Sequence, residues 1–217
     1  MQTVIWTLVG AALGAVCGWG GLCWSRRMLL TRKREEWIPP SVQWLIVVAS
    51  VVCGGVIGFY TGAFLPMLSL LAALTVCIAV ALCDWLCRII PNPTVLAVFG
   101  VKLLLMAAAL LKLPGAPTLD LFSSLVGMVF CFLIFFAPGL LGKKVGAGDI
   151  KFAAAMGFLL GFGDSLLAIV FMGFLVLGYC MLQRRMPILM FLKTDIPMGP
   201  FIAAGMMITC MMPYINL

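Results

Sequence analysis

Long apolar segments joined by short polar connections constrain the fold of this chain more than any other feature. Each is close to the roughly 20 residues that an α-helix needs to cross the hydrocarbon of a bilayer. Only 10% of the residues are charged and 65% are apolar, unlike the usual balance of a soluble globular domain. The sequence therefore predicts an all-α membrane protein, with its first helices at about 3–24, 42–60, 66–83, 94–113 and 121–141.

The later apolar segments are less regular and lie at 150–162, 165–183 and 196–213. The segment 150–162 makes a helix of only about 20 Å, shorter than the roughly 30 Å of hydrocarbon. It must still cross if the connection at 142–149 is cytoplasmic and Arg184 and Arg185 are to be cytoplasmic as well after the next span, 165–183. We therefore expect eight transmembrane helices, both termini outside the cytoplasm, and one membrane-embedded domain over residues 1–217.

The basic residues occur as short clusters between the apolar segments. The first cluster lies in a connection at 25–41, and two others follow the fifth and seventh segments. By the positive-inside rule these connections face the cytoplasm, and phospholipid headgroups are their expected partners. Nucleic acid is not expected to bind, because the net charge of +7 is not gathered on one polar face. The clusters are Arg26, Arg27, Arg32, Lys33 and Arg34; Lys143, Lys144 and Lys151; and Arg184, Arg185 and Lys193.

Glycine, proline and cysteine positions indicate packing and breaks. Gly10, Gly14 and Gly18 follow a four-residue spacing that is typical of close helix packing. Prolines at 66, 91, 93, 114 and 117 mark the predicted ends of segments. Cys83 and Cys87 bracket an aspartate, but the chain has no histidine and no Cys-x-x-Cys pair, so no metal site is expected.

Ionisable side chains in or beside membrane helices are costly, which makes each of them a functional candidate. Five of them fall at helix ends or can reach the interface with their long side chains: Asp120, Asp164, Asp195, Lys102 and Lys112. Asp84 and Asp149 differ. Asp84 ends the third segment before a proline break, and Asp149 follows two glycines that we expect to bend the backbone before a helix. The predicted topology brings both carboxylates to the cytoplasmic face.

Two carboxylates that meet across one water supply what peptide hydrolysis needs, an ionised base and a protonated acid. Asp149 precedes a helix and has Lys151 nearby, whereas Asp84 ends a helix. The helix dipoles therefore suggest, as a hypothesis, that Asp149 is ionised and Asp84 carries the proton. Arg88 would favour the reverse.

Three motifs together resemble the type IV prepilin peptidases, the membrane aspartic peptidases with a Gly-x-Gly-Asp motif. They are Gly146-x-Gly148-Asp149-x-Lys151, Asp84 placed seven positions before Pro91-Asn92, and Pro197-Met198-Gly199-Pro200-Phe201. The similar region runs from about 66 to 210. Any one of these motifs alone would be weak, because a Gly-rich turn or a lone aspartate is common.

The resemblance implies an endopeptidase of the bacterial cytoplasmic (inner) membrane that removes the short basic leader of prepilins or pseudopilins at the cytoplasmic face. It implies Asp84 and Asp149 as the catalytic pair and no cofactor. Gly146, Gly148 and Lys151 would support the second aspartate, and Pro91 and Asn92 would shape the loop after the first. Pro197, Gly199 and Pro200 would be structural.

The chain departs from many members of that family in its first connection. Those members carry a large insertion there with paired Cys-x-x-Cys motifs and also N-methylate their product. Here the connection spans only about 25–41 and contains no cysteine. Methylation with S-adenosylmethionine and a zinc site in the insertion are therefore not expected, and the chain is interpreted as a short, peptidase-only form.

Two other interpretations stay open at this point. A presenilin-like intramembrane protease shares the Gly-x-Gly-Asp element, although Cys83 stands where its tyrosine would precede the first aspartate. A small transporter or scaffold would use Asp84 and Asp149 in structural ion pairs with Arg88 or Lys151. The position of a cleaved bond, or the absence of cleavage, separates these three classes.

Overall fold

The chain forms α-helices throughout the residues that the structure, a computed structural model, describes. These residues are 2–32, 37–111, 120–140, 145–182 and 197–215. They contain eight helices and no strand. The helices are α1 (Gln2–Thr31), α2 (Pro40–Thr61), α3 (Phe64–Cys87), α4 (Asn92–Leu110), α5 (Leu121–Leu140), α6 (Ala147–Leu160), α7 (Phe162–Leu182) and α8 (Gly199–Ile215).

Five of these helices are long and apolar enough to cross a membrane, namely α1, α2, α3, α5 and α7. Shorter apolar stretches, Asn92–Ala107 and Gly199–Met212, lie in α4 and α8. Helix α6 has 14 residues, about 21 Å, and is too short to cross the full hydrocarbon alone. The all-helical membrane fold is thus confirmed, and five of the eight described helices meet the length and composition of a membrane span by themselves.

Each predicted apolar segment corresponds to one helix, but the boundary of the first was wrong. We expected a connection from residue 25, whereas α1 continues to Thr31. Met28 and Leu29 are buried and form a small cluster with Cys83 of α3, which stabilises the added turns. The side chain of Ser25 donates to the Leu22 carbonyl at 2.9 Å and so remains satisfied inside the helix.

The described prolines that were predicted to mark breaks lie at helix starts. Pro66 and Pro93 fall in the first turns of α3 and α4, where a missing N–H costs nothing. Pro91 immediately precedes α4 in extended conformation. The predicted breaks are therefore confirmed at these three positions, whereas residues 114 and 117 lie outside the described ranges.

Glycines fasten α1 to α2 at backbone distance, as their spacing predicted. A Cβ on Gly14 would clash with the Ser50 carbonyl and lie 3.0 Å from the Gly54 Cα. Gly10 faces Gly54 and Gly58 in the same way. Two helices that approach this closely gain van der Waals contact, which replaces the hydrophobic driving force that is missing between helices in lipid.

Replacing Gly14 with alanine should lower the free energy of unfolding by about 1–3 kcal/mol, because the added Cβ would clash with backbone atoms that cannot move away as a flexible side chain can. Gly20→Ala on the same helix is the matched control, since its Cβ would meet nothing within 4 Å. Thermal unfolding of both variants in detergent measures the difference. Equal melting temperatures would show that the α1–α2 contact does not limit stability.

The main core joins α3, α4, α5, α6, α7 and α8. Its fully buried side chains include Val80, Val98, Phe152, Met156 and Ile202. Helices α3 and α6 each pack against both α4 and α8. One end of α3 and the opposite end of α6 are thereby brought to the same end of the bundle, where α4 and α8 also begin.

The orientation of this bundle in the membrane rests on charges that are only partly described. Arg26, Arg27, Arg32 and Arg88 belong to the end where α3 finishes. Lys151 lies on α6. The remaining predicted cytoplasmic charges fall outside the described residues: Lys33, Arg34, Lys143, Lys144, Arg184, Arg185 and Lys193. The same holds for Lys112 and Asp195.

Candidate active site

Asp84 lies in the last turn of α3, with its side chain buried. Its backbone carbonyl accepts the N–H of Arg88 at 2.9 Å, and this bond closes the helix. Arg88 takes the left-handed conformation with φ 54°, which is strained for a residue with a Cβ. The chain consequently turns sharply just after Asp84 and sends residues 89–91 back across the end of the bundle.

The Asp84 carboxylate is held by the start of the last helix. Its Oδ2 accepts a hydrogen bond from the backbone N–H of Gly199 at 2.7 Å. A Cβ on Gly199 would lie 2.8 Å from the Asp84 Cβ and 2.9 Å from Oδ2, so a glycine is required for this approach. The distant Pro-x-Gly-Pro motif therefore contacts the first aspartate directly.

Asp149 lies in the first turn of α6, at its third residue. The helix thus begins earlier than the predicted residue 150, and both Gly148 and Asp149 are helical. The Asp149 Oδ1 is buried and has no hydrogen-bond partner. A carboxyl oxygen in that state is costly as an anion, because no donor group of the protein replaces its hydration.

The two glycines before Asp149 do not bend the backbone, which corrects the prediction. Gly146 has φ −65° and Gly148 is helical, so any residue could adopt either conformation. Their role is steric. A Cβ on Gly148 would lie 3.0 Å from the Ile90 Cβ, and a Cβ on Gly146 would lie 2.6 Å from the Asp149 Oδ2. The motif lets the loop after Asp84 pack directly on the start of α6.

Ile90 is the residue that links the two aspartates through this loop. It is buried, it follows Asp84 by six positions, and its backbone lies against Gly148. Pro91 caps α4, and its carbonyl accepts the Thr94 hydroxyl at 2.7 Å, which fixes the loop. Asn92 is the exposed first residue of α4, and Lys151 is exposed on α6. Of the predicted supporting residues, Gly148 and Pro91 therefore lie in the packed part of the site, and Gly146 is exposed beside the Asp149 side chain.

The carboxylates of Asp84 and Asp149 are close enough to interact electrostatically. Burial, with a smaller contribution from the charge of Asp84, raises the pKa of Asp149 from its ordinary value to about 6. Asp149 belongs to α6, outside the five long membrane helices. Near neutral pH the pair can therefore hold one proton between two carboxyl groups, which is the state a dyad needs for acid–base chemistry.

Aromatic rings connect three helices beside this pair. Trp85 packs edge-on against Tyr179 of α7, with ring centroids 6.4 Å apart, and Tyr179 packs against Phe201 of α8 at 5.4 Å. Trp85 is half exposed. This aromatic row of Trp85, Tyr179 and Phe201 packs α7 against the helix ends that carry Asp84 and Gly199. It forms an apolar surface next to the carboxylates.

Three other described ionisable residues, Asp120, Asp164 and Lys102, lie towards the opposite end of the bundle. Asp120 accepts the Ser123 N–H at 3.0 Å and caps α5, and Asp164 lies in the first turn of α7. Lys102 does not reach for the interface as predicted: its Nζ donates to the Leu159 carbonyl at 3.0 Å and so satisfies the end of the short helix α6. These roles are structural, as expected for the two aspartates.

Sequence reasoning missed Gly199 and Ile90 as parts of the site. The Pro-Met-Gly-Pro pattern contained a usable signal, because Pro200 has no N–H and the preceding Gly199 can approach a partner closely. Ile90 gave no signal of its own in an apolar sequence. Among the described residues, no group of three or more cysteine, aspartate or glutamate side chains is arranged to hold a metal ion.

Comparison with known proteins gives one result at family level. The model of the type IV leader peptidase family matches residues 70–181, just over half of the chain, and this range includes Asp84, Gly148 and Asp149. No curated protein and no solved structure matched the chain. The family match agrees with the resemblance that the three motifs indicated, and the chain belongs to the type IV leader peptidase family.

Proposed function

We propose that this protein is an aspartic endopeptidase of the bacterial cytoplasmic membrane that cleaves the short basic leader of type IV prepilins or pseudopilins. One observation carries the proposal: within the region matched by the family model, the buried carboxyl group of Asp84 and the half-buried one of Asp149 lie within electrostatic range at one end of the bundle. The family match supports the leader peptidase activity. The two carboxyl groups support a mechanism in which aspartates activate a water molecule.

The proposed reaction needs one proton on the pair. The ionised carboxylate takes a proton from a water molecule, and the resulting hydroxide attacks the scissile carbonyl carbon. The protonated carboxyl donates to the carbonyl oxygen as charge develops there. Collapse of the tetrahedral intermediate breaks the C–N bond: the carboxyl that took the proton from water delivers it to the leaving nitrogen, and the other carboxylate recovers its proton from a hydroxyl of the intermediate. Neither a metal ion nor S-adenosylmethionine takes part.

The cytoplasmic position of the site is supported by the distribution of charge. Arg26, Arg27, Arg32 and Arg88 belong to the same end of the bundle as the carboxylates, whereas Asp120 and Asp164 lie at the other end. Excess arginine and lysine is typical of cytoplasmic connections. A substrate whose hydrophobic helix lies in the bilayer would place its leader junction at this end.

Mapping the cleaved bond in a co-expressed prepilin tests the proposal. We expect mass spectrometry to find one cut, between the basic leader and the hydrophobic segment, that depends on this protein. A cut inside the hydrophobic segment would instead identify a presenilin-like intramembrane protease. Unprocessed prepilin beside correctly folded, membrane-inserted protein would favour the transporter or scaffold interpretation.

A further inference from the structure

In the first turn of α8, one backbone N–H group, that of Gly199, donates to the Asp84 carboxylate. The N–H groups of Phe201 and Ile202 both donate to the Met198 carbonyl, at 3.1 and 3.0 Å. Pro200 has no N–H. The N–H of Gly199 is therefore the donor in this first turn that reaches the Asp84 Oδ2, at 2.7 Å.

The bond requires glycine at this position. A Cβ on residue 199 would lie 2.8 to 3.0 Å from three side-chain atoms of Asp84, which is closer than real Cβ contacts. Any side chain would displace either the carboxylate or the start of α8. Both Gly199 and Asp84 are buried, so water does not compete for the bond.

The two aspartates consequently have different surroundings. Asp84 accepts a donor that belongs to a helix N-terminus, where the partial positive charge of α8 favours an anion. Asp149 has a buried oxygen without any hydrogen-bond partner. A hydrogen bond to the charged form favours ionisation of Asp84, and the lack of one favours a proton on Asp149.

We propose that Gly199 is a positioning residue that holds Asp84 as the ionised base and thereby leaves the proton of the dyad on Asp149. This rests on the proposed two-aspartate function and reverses the assignment suggested by the dipoles of α3 and α6. The short, buried bond from Gly199 opposes both the burial of Asp84 and the unfavourable dipole of α3, whereas the buried Asp149 Oδ1 has no such bond. Residue 199 lies outside the matched region 70–181, so the family match assigns it no role.

Other ionisable groups near Asp84 would remain in place when residue 199 is changed. Arg88 and Cys83 lie on its own helix end, Asp149 faces it from α6, and Tyr179 belongs to the aromatic row on α7. Arg32 of α1 acts on Cys83. Because none of them is altered, a change in the acidic limb of the pH–rate profile would report the loss of the Gly199 bond.

Gly199→Ala tests the proposal in the purified full-length protein with a leader-bearing peptide. We expect kcat/KM at the optimum to fall about tenfold to a hundredfold, because one preorganised donor is lost. The acidic limb of the profile should move to higher pH by about one unit, since Asp84 would ionise less readily. An unmoved acidic limb would contradict the proposal.

Gly205→Ala is the matched control on the same helix. Its Cβ would lie 2.5 Å from the Ala168 carbonyl, a comparable clash that is directed at α7 rather than at the site. It should lower thermal stability and leave the acidic limb unchanged. An equal shift of the limb in both variants would show that α8 acts only through its packing, and the proposal would be wrong.

Infrared difference spectroscopy gives a second test that does not require Gly199→Ala to fold. At a pH just below about 6, the band of a protonated carboxyl should vanish in Asp149→Asn and persist in Asp84→Asn. Loss of the band in Asp84→Asn instead would overturn the assignment. If Asp84→Asn still cleaves its substrate, the proposed two-aspartate mechanism is wrong. If Asp84→Asn is inactive but Gly199→Ala keeps the wild-type pH profile, only the role proposed for Gly199 is wrong.

Discussion

Replacing either Asp84 or Asp149 with asparagine should lower the rate of leader cleavage by at least about 10³-fold. Asparagine keeps the shape of the side chain but can neither accept a proton from water as a base nor deliver one as an acid. Both substitutions remove a buried carboxyl and should leave the fold intact. Cleavage of a leader-bearing peptide by purified variants, normalised to folded protein, measures the effect.

Asp164→Asn is the matched control for this experiment. Asp164 also lies in the first turn of an apolar helix, but at the end of the bundle opposite the dyad. Its replacement should change cleavage less than about twofold. If Asp149→Asn retained activity comparable to that of Asp164→Asn, a single carboxylate or another group would have to perform the reaction.

Activity should fall about tenfold for each pH unit above about 6, so that kcat/KM at pH 8 is roughly a hundredth of its maximum. Burial and the neighbouring Asp84 raise the pKa of Asp149 to about 6, so the dyad keeps its proton below that value and loses it above. Without the proton no acid remains to polarise the scissile carbonyl. The pH dependence of kcat/KM reports this group in the free enzyme.

A thermal unfolding series over the same pH range serves as the control for this profile. A loss of activity that accompanied unfolding would not reflect titration of the dyad. A rate that stayed constant from pH 5 to pH 8 in stable protein would mean that the acid keeps its proton throughout, and the role given to Asp149 would have to be abandoned.

The sequence alone predicted the eight helices of the described residues because each has a continuous apolar run bounded by proline, glycine or charge. It also predicted the close packing of α1, since the four-residue spacing of Gly10, Gly14 and Gly18 places residues without side chains on one face of the helix. The predicted end of α1 was too early because the charged pair Arg26 and Arg27 is typical of a loop. Met28 and Leu29 are nevertheless buried, and their packing keeps this stretch helical.

The site was predictable in its residues and less so in its geometry. Charge scarcity in apolar surroundings singled out Asp84 and Asp149, but local sequence could not give contacts between residues more than 100 positions apart. The bond from Gly199 to Asp84 is such a contact. The glycines before Asp149 were recognised as necessary for the wrong reason, since their value depends on Ile90, which only the folded chain brings there.

The binding of a transition-state analogue tests the central claim that both carboxyl groups act on one tetrahedral centre. The analogue is a leader peptide whose scissile amide is replaced by a hydroxyl-bearing isostere, compared with the same peptide lacking the hydroxyl. The hydroxyl should tighten binding to the wild-type protein at least about a hundredfold. That advantage should disappear in Asp84→Asn and in Asp149→Asn, while the peptide without the hydroxyl binds all three equally. A hydroxyl that gave no advantage, or an advantage that survived in either variant, would contradict the two-aspartate mechanism.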